Sequence, residues 1–152
     1  MFKQKDFEIE TVLSKPLMAH LSTVENGEPR DSPVWFVWED SFIWLFGTNE
    51  DSFIKRLKQE SRCALGVVDF DLEKGILKHV GVRSTAIVNS VRPKRLEHFV
   101  AKYLGNNPKE WNPWFITHVV DPLNAMVQIT PETIVAKNIS FFKTGPDLAS
   151  PC

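Results

Sequence analysis

The chain has few cysteines, few glycines, almost no net charge and no long apolar run, and each shortage removes a class of function. Cys63 and Cys152 are the only cysteines among 152 residues. Cys63 lies in the apolar run "RCALGVV" and Cys152 is the last residue, so a bridge would need a chain end to reach a core strand. A disulfide framework is therefore not expected, and a buried free thiol suits a reducing, cytoplasmic setting. Lys plus Arg is 18 and Asp plus Glu is 19, a formal charge of −1. That balance leaves no basic footprint for a nucleic acid. The clusters Lys55, Arg56, Lys58, Arg62 and Arg92, Lys94, Arg95 read as solvated helix faces. "MFKQKDFEIE" carries acids and no apolar core, unlike a signal peptide. No segment approaches the ~20 apolar residues of a membrane span. The expectation is a soluble cytoplasmic protein with neither a nucleic-acid nor a membrane partner.

The seven glycines lie singly. There is no G-x-G-x-x-G, no G-x-x-x-x-G-K and no G-x-S-x-G, which argues against Rossmann-type dinucleotide binding, phosphate-loop chemistry and serine hydrolysis. His20, His79, His98 and His118 are scattered without partners at ligand spacing, so no metal site is expected.

What is present is a succession of short strands. A chain of this length favours one domain, residues 1–152. Asp6 can cap a helix within about residues 1–15 that Pro16 stops. "PLMAHLSTV", "SPVWFVW" and "FIWLFG" read as strands of a meander, the first turn marked by Asn26-Gly27. Phe53, Ile54 and Leu57 fall at helical spacing in "TNEDSFIKRLKQES". "RCALGVVDF" and "ILKHVGVRSTAIVNSV" return to strand. Pro93 opens a helix that Gly105 ends. "NNPKEWNPWF" is an irregular or short helical link, "NAMVQIT" and "TIVAKNISFF" are closing strands with Pro131 at their corner, and residues 143–152 form a loose tail. Strands of this number with two or three short helices predict a mainly β fold, a small barrel with appended helices. The first strands are joined too tightly for parallel crossovers.

Two stretches carry chemistry. Val34 to Trp38 is apolar without a break, so both faces of that strand need cover, whether from a flat aromatic cofactor, a partner subunit or the helix of residues 93–105. In "FGTNEDSFIKRL", Thr48 and Ser52 stand at a helix start whose free N–H groups attract anions, with Lys55 one turn in and Arg30 on the neighbouring strand. These residues make a phosphate cradle; the same pattern also reads as an ordinary capped helix with a solvated lysine. Glu50 and Asp51 compete with an anion there.

The ordered set "MAHLSTVENGEPRDSPVWFVWEDSFIWLFGTNEDSFIKRLKQESRCALGVVDFD…HVGVRSTA" resembles the pyridoxamine 5′-phosphate oxidase-like family of FMN-binding split barrels, over about Pro16 to Val88. The resemblance implies a six-stranded antiparallel Greek-key barrel and a homodimer with FMN between the subunits. It implies that Arg30 contacts the flavin phosphate region, that Ser32, Pro33, Val34, Trp35 and Phe36 line the ring, mainly through backbone, and that Thr48, Asn49, Ser52 and Lys55 serve the ribityl and phosphate end. His79 falls at a polar position that touches the flavin in the oxidase; it also reads as an exposed strand histidine. The helix after Ser52 is one residue shorter than the commonest family pattern, and the segment that holds the oxidase's substrate is not found. The implied activity is an FMN-dependent oxidoreductase of unknown substrate. A flavin store without turnover, or the same barrel with a deazaflavin or haem, are the alternatives.

Overall fold

The computed structural model describes residues 1–141, so the expected loose tail at 143–152 and Cys152 lie outside the described residues. In chain order the elements are β1 (Phe2–Lys5), α1 (Glu10–Leu13), β2 (Ala19–Glu25), β3 (Glu28–Val34), β4 (Val37–Glu39), β5 (Phe42–Gly47), α2 (Ser52–Gln59), β6 (Arg62–Asp71), β7 (Ile76–Asn89), α3 (Pro93–Leu104) and β8 (Ala125–Asn138). Short helical turns at Pro108–Glu110, Pro113–Phe115 and Ile116–Val120 link α3 to β8.

Two-residue turns set the hairpins. Asn26 and Gly27 have φ of 53° and 79°, and Asp40 and Ser41 have 55° and 66°, the left-handed pairs that match strand twist. They lock Glu25 opposite Glu28 and Glu39 opposite Phe42. The strands join in the order β3-β2-β6-β7-β8-β5-β4, antiparallel throughout. The end strands β3 and β4 follow each other in the chain, so residues 35 and 36 carry it from one edge of the sheet to the other. The sheet is thereby curled around a core that includes Leu21, Phe36, Leu45, Leu65, Val127 and Ile129. A second apolar cluster, with Trp44, Phe46, Phe99 and Met126, lies under α3.

Three expectations are corrected. The "SPVWFVW" segment is two strands, broken at Trp35–Phe36, because it spans the gap between sheet edges. The two closing strands are one, β8; Pro131 is accommodated opposite Ser84, where the register of β7 shifts. Asp6 caps no helix: its carboxylate accepts the backbone N–H of Asn138, 3.0 Å away, while Phe2–Lys5 adds a parallel strand to β8. The sheet thus holds eight strands rather than six.

Helix α3 pins the 35–36 link. The Tyr103 hydroxyl accepts the Phe36 N–H at 3.1 Å and donates to the Leu17 carbonyl at 2.8 Å. Lys102 Nζ donates to the carbonyls of Leu13 and Phe36 at 2.8 and 2.9 Å, and sits 3.5 Å from the centre of the Phe36 ring. Burial disfavours its charged form and lowers its pKa from 10.5 to about 7. A lowered folded-state pKa means that the unfolded chain holds more protons above about pH 7, so stability rises with pH from there. Burial raises the Cys63 thiol and the Tyr103 phenol, whose opposite contribution begins near their unfolded values of 9.0 and 10.0. Between pH 7 and about pH 8.5 the urea midpoint of the protein should therefore climb. In Lys102→Met the midpoint should be flat over that window, whatever its absolute value; an unchanged slope would show that Lys102 is not the group responsible.

Candidate functional site

Strand β3 pairs with β2 on one side and, among the described residues, with no strand on the other. In this register Arg30, Ser32 and Val34 bond to β2, so the backbone groups that point away from the sheet between them are the Asp31 amide and the carbonyls of Asp31 and Pro33. The facing pairs Thr23↔Arg30, Leu21↔Ser32 and Ala19↔Val34 put Arg30, Ser32 and Val34 on the inner face with three buried residues of β2. Asp31 and Pro33 point outward.

Beside the end of β3 is an apolar pocket of about 330 Å³, within the range of small-molecule sites. Pro33, Val34, Trp35, Phe46, Phe53 and Phe99 are among its walls. Trp35 is held flat by stacking on Tyr103, centroids 4.3 Å apart and planes 10° apart. Phe53 comes from the first turn of α2. Three residues later the same helix supplies Arg56, which is 9% exposed. Its Nε donates to Thr23 Oγ1 at 2.7 Å and its Nη2 to Ser32 Oγ at 3.1 Å. One helix thus brings an aromatic ring to the apolar end of β3 and a guanidinium to the polar side chains further along it.

Of the residues singled out in the sequence, Pro33, Val34 and Trp35 meet in the pocket, and Ser32 meets Arg56. Phe36 is turned inward and fully buried, and its N–H and carbonyl are taken up by Tyr103 and Lys102. Arg30 is exposed at the hairpin, 3.7 Å from Glu25 and 3.5 Å from Glu28. In the loop before α2, Thr48, Asn49 and Glu50 have partners of their own. The Thr48 N–H donates to Asp51 Oδ2 at 2.8 Å, and Thr48 Oγ1 accepts the Glu50 N–H at 3.2 Å. The Asn49 N–H donates to Asn124 Oδ1 and its own side-chain oxygen accepts from Lys58. Lys55 is exposed and 3.3 Å from Glu50. Ser52 is exposed as the first residue of α2. Carboxylates flank the helix start, while Asp51 makes no side-chain bond to the first N–H groups of α2.

His79 lies elsewhere, on the outer face of the sheet. There Gly66 and Gly81 pair across β6 and β7, and the imidazole covers them: a Cβ on Gly81 would stand 2.9 Å from its Cε1. This separate groove, about 360 Å³, also includes Ser22, Arg83 and Thr133. Cys63 faces inward, 3.3 Å from Ser84 Oγ, and burial raises its pKa, which keeps the thiol protonated and unreactive.

The family model described as pyridoxamine 5′-phosphate oxidase matches residues 6–138. The chain belongs to the pyridoxamine 5′-phosphate oxidase family. No curated protein matches the sequence. Among solved structures, a conserved hypothetical protein from Mycobacterium tuberculosis is similar, with a TM-score of 0.71 and 18% identity over 90% of this chain and 89% of that one. An FAD-binding protein from Mesorhizobium loti gives 0.64 and 16% over 90% and 96%. HutZ, a haem storage protein from Vibrio cholerae, gives 0.62 and 14% over 85% and 91%. At these identities the likeness is one of fold, and this oxidase-family fold carries proteins described by different prosthetic groups.

Gly47, at the end of β5, lets the acidic helix start and the aromatic wall close on each other. A Cβ there would lie 2.8 Å from Asp51 Oδ2, 2.9 Å from the Phe53 ring and 3.2 Å from Ile54. Gly47→Ala should cost about 1–3 kcal/mol by overpacking, read as a lowered urea midpoint at constant slope. An unchanged midpoint would mean that Asp51 and Phe53 are free to move apart.

Proposed function

We propose that the protein is a flavoprotein that binds FMN along the open edge of β3 and serves as an oxidoreductase for a small substrate. The observation that carries this reading is the combination on that edge: unpaired backbone groups, an apolar pocket walled by aromatic rings, and a buried guanidinium further along the strand. A flavin ring has an apolar benzenoid end and a pyrimidine edge rich in donors and acceptors, and FMN adds a phosphate. Pro33, Val34 and Trp35 suit the ring, and Ser32 and Arg56 suit the polar end.

The ring supplies one- and two-electron redox chemistry when bound, and the protein's part is to hold it and set its surroundings. Phe46, Phe53 and Phe99 exclude water from the pocket, which strengthens every polar contact within it. The outward Asp31 amide and the carbonyls of Asp31 and Pro33, on a strand fixed by pairing with β2, set the orientation of whatever they bond. No acid, base or thiol of the pocket has to take part in proton transfer, which matches a protein that orients a cofactor.

We also propose a homodimer through the outer face. Val68 and Phe70, 46% and 57% exposed, stand on β6 beside the groove capped by His79. A second copy is the simplest cover for apolar side chains on a sheet face. His79 supplies the observation for a second reading: among the described residues no hydrogen bond engages its ring, which lies over the Gly66–Gly81 pair in a groove of about 360 Å³, and a haem would take such an imidazole as an axial ligand. A deazaflavin shares the ring and phosphate logic of FMN.

The absorption spectrum of freshly purified protein separates these readings. Oxidised flavin gives two bands in the blue and near ultraviolet with green fluorescence, a deazaflavin one band, and haem an intense Soret band. The expected result is the first, with a dimeric mass by light scattering and a monomeric mass for Val68→Asp/Phe70→Asp. A Soret band would replace the flavin reading with the second one, and a monomeric wild type would remove the dimer.

A further inference from the structure

Helix α3 carries a group of side chains that the flavin reading does not use. His98 and Lys102 are four residues apart on it and so share one face. Both line a cavity of about 440 Å³, with Leu13, Ser14, Trp38 and Glu39 among the other walls, and it shares no wall residue with the pocket beside β3. Of the residues lining it, only Glu39, His98 and Lys102 titrate. Glu39 is fixed from two sides: one carboxylate oxygen takes Arg95 Nη1 at 2.6 Å and the other faces His98 Nδ1 at 2.6 Å. The carboxylate accepts, so the imidazole donates from Nδ1, and among the described residues nothing bonds its Nε2. Lys102 is half-buried and meets no carboxylate among the described residues. Its Nζ donates to the Leu13 and Phe36 carbonyls at 2.8 and 2.9 Å, with the centres of the Phe36 and Tyr103 rings 3.5 and 5.3 Å away. Two N–H groups are enough for those two bonds, so the neutral amine keeps both and gains a lone pair. Burial lowers its pKa to about 7, so about half of the side chain is amine at neutral pH. A neutral amine in a cavity, beside an oriented imidazole, is the equipment of a lysine that attacks carbonyl carbon.

We propose that this cavity is a second reactive site, in which Lys102 captures a small aldehyde as a Schiff base and His98, held by Glu39, carries the protons. The lone pair of Nζ attacks the carbonyl carbon and the C=O π pair goes to oxygen. One proton passes from nitrogen to that oxygen by way of His98, giving a carbinolamine. The C–O bond then breaks, the oxygen leaves as water with a second proton from His98, and the remaining N–H proton returns to His98 as the C=N bond forms. One aldehyde and one amine thus become one imine and one water, with no oxidant or reductant. Leu13 and Trp38 give the cavity an apolar wall and Ser14 a hydroxyl, which suits an uncharged aldehyde of about one ring. The site is independent of the flavin reading, since no residue of β3 takes part.

The test is to incubate the protein as purified with salicylaldehyde and cyanoborohydride, which reduces an imine to a stable secondary amine, and to locate the adducts by peptide mass spectrometry. An ordinary lysine is neutral in about one copy in a few thousand at pH 7. Lys102 is neutral in about half, and its lower basicity gives back part of that advantage. It should therefore be labelled about tenfold faster at pH 7 than the mean of the other described lysines. In urea that excess should vanish. Labelling of Lys102 no faster than of the exposed lysines, or an excess that persists in urea, would overturn the proposal. His98→Gln should place its adduct at Lys102 too, but form it several-fold more slowly, and added imidazole should restore part of the rate. An unchanged rate in His98→Gln would overturn the role given to His98. Because the labelling is done on wild type, it decides the role of Lys102 whether or not His98→Gln folds.

Discussion

The structure depends on how α3 grips the backbone of Phe36. Two residues carry the chain between opposite edges of the sheet, and no strand pairing satisfies their polar groups. Tyr103 accepts the amide while Lys102 donates to the carbonyl, and Lys102 Nζ also lies over the ring. Leaving either backbone group unpaired in a buried link would cost about 1–3 kcal/mol. The grip does more than stabilise. With the link fixed, β3 ends as a free edge, Trp35 is set flat against Tyr103, and the apolar pocket has a rigid wall.

That arrangement also divides the site electrically. The start of α2 carries the carboxylates Glu50 and Asp51, whereas the buried side of the helix carries Arg56 with no carboxylate paired to it among the described residues. A ligand with an apolar ring and an anionic end would be oriented by this division alone, ring toward Phe46 and Phe53, charge toward Arg56. The outer groove under His79 is separated from this site by the thickness of the sheet, so the two offer different environments to planar groups.

Much of this was legible in the sequence. The strands flanking Asn26-Gly27 and the helix between Pro93 and Gly105 follow from alternation, turns and caps, and the unbroken apolar run showed that Val34 to Trp38 needs cover on both faces without showing what covers it. The break at Trp35–Phe36 was not, because an apolar run reads alike whether it fills both faces of one strand or bridges two edges. β1 was missed because all four of its residues are exposed, leaving no alternation to see. Arg56 was hidden by its neighbours in a basic cluster. A helical wheel held the clue: at 100° per residue Lys55 lies about 150° from the centre of the Phe53–Ile54–Leu57 face, and Arg56 only about 110°, on its flank. Lys55 had to point to water, and Arg56 could turn in. That its partners would be Thr23 and Ser32 depends on the register of a hairpin 24 to 33 residues away in sequence, which no local pattern contains.

The central claim is that a flavin takes the open edge of β3, and backbone amide hydrogen exchange with and without FMN tests it residue by residue. The account predicts added protection at the amides of Asp31, the outward N–H of β3, and of Trp35 beside the pocket, with little change at the Gly66 and Gly81 floor beyond what dimer formation already gives. Protection that appears at residues 64–66 and 79–83 while the edge of β3 exchanges as before would contradict it.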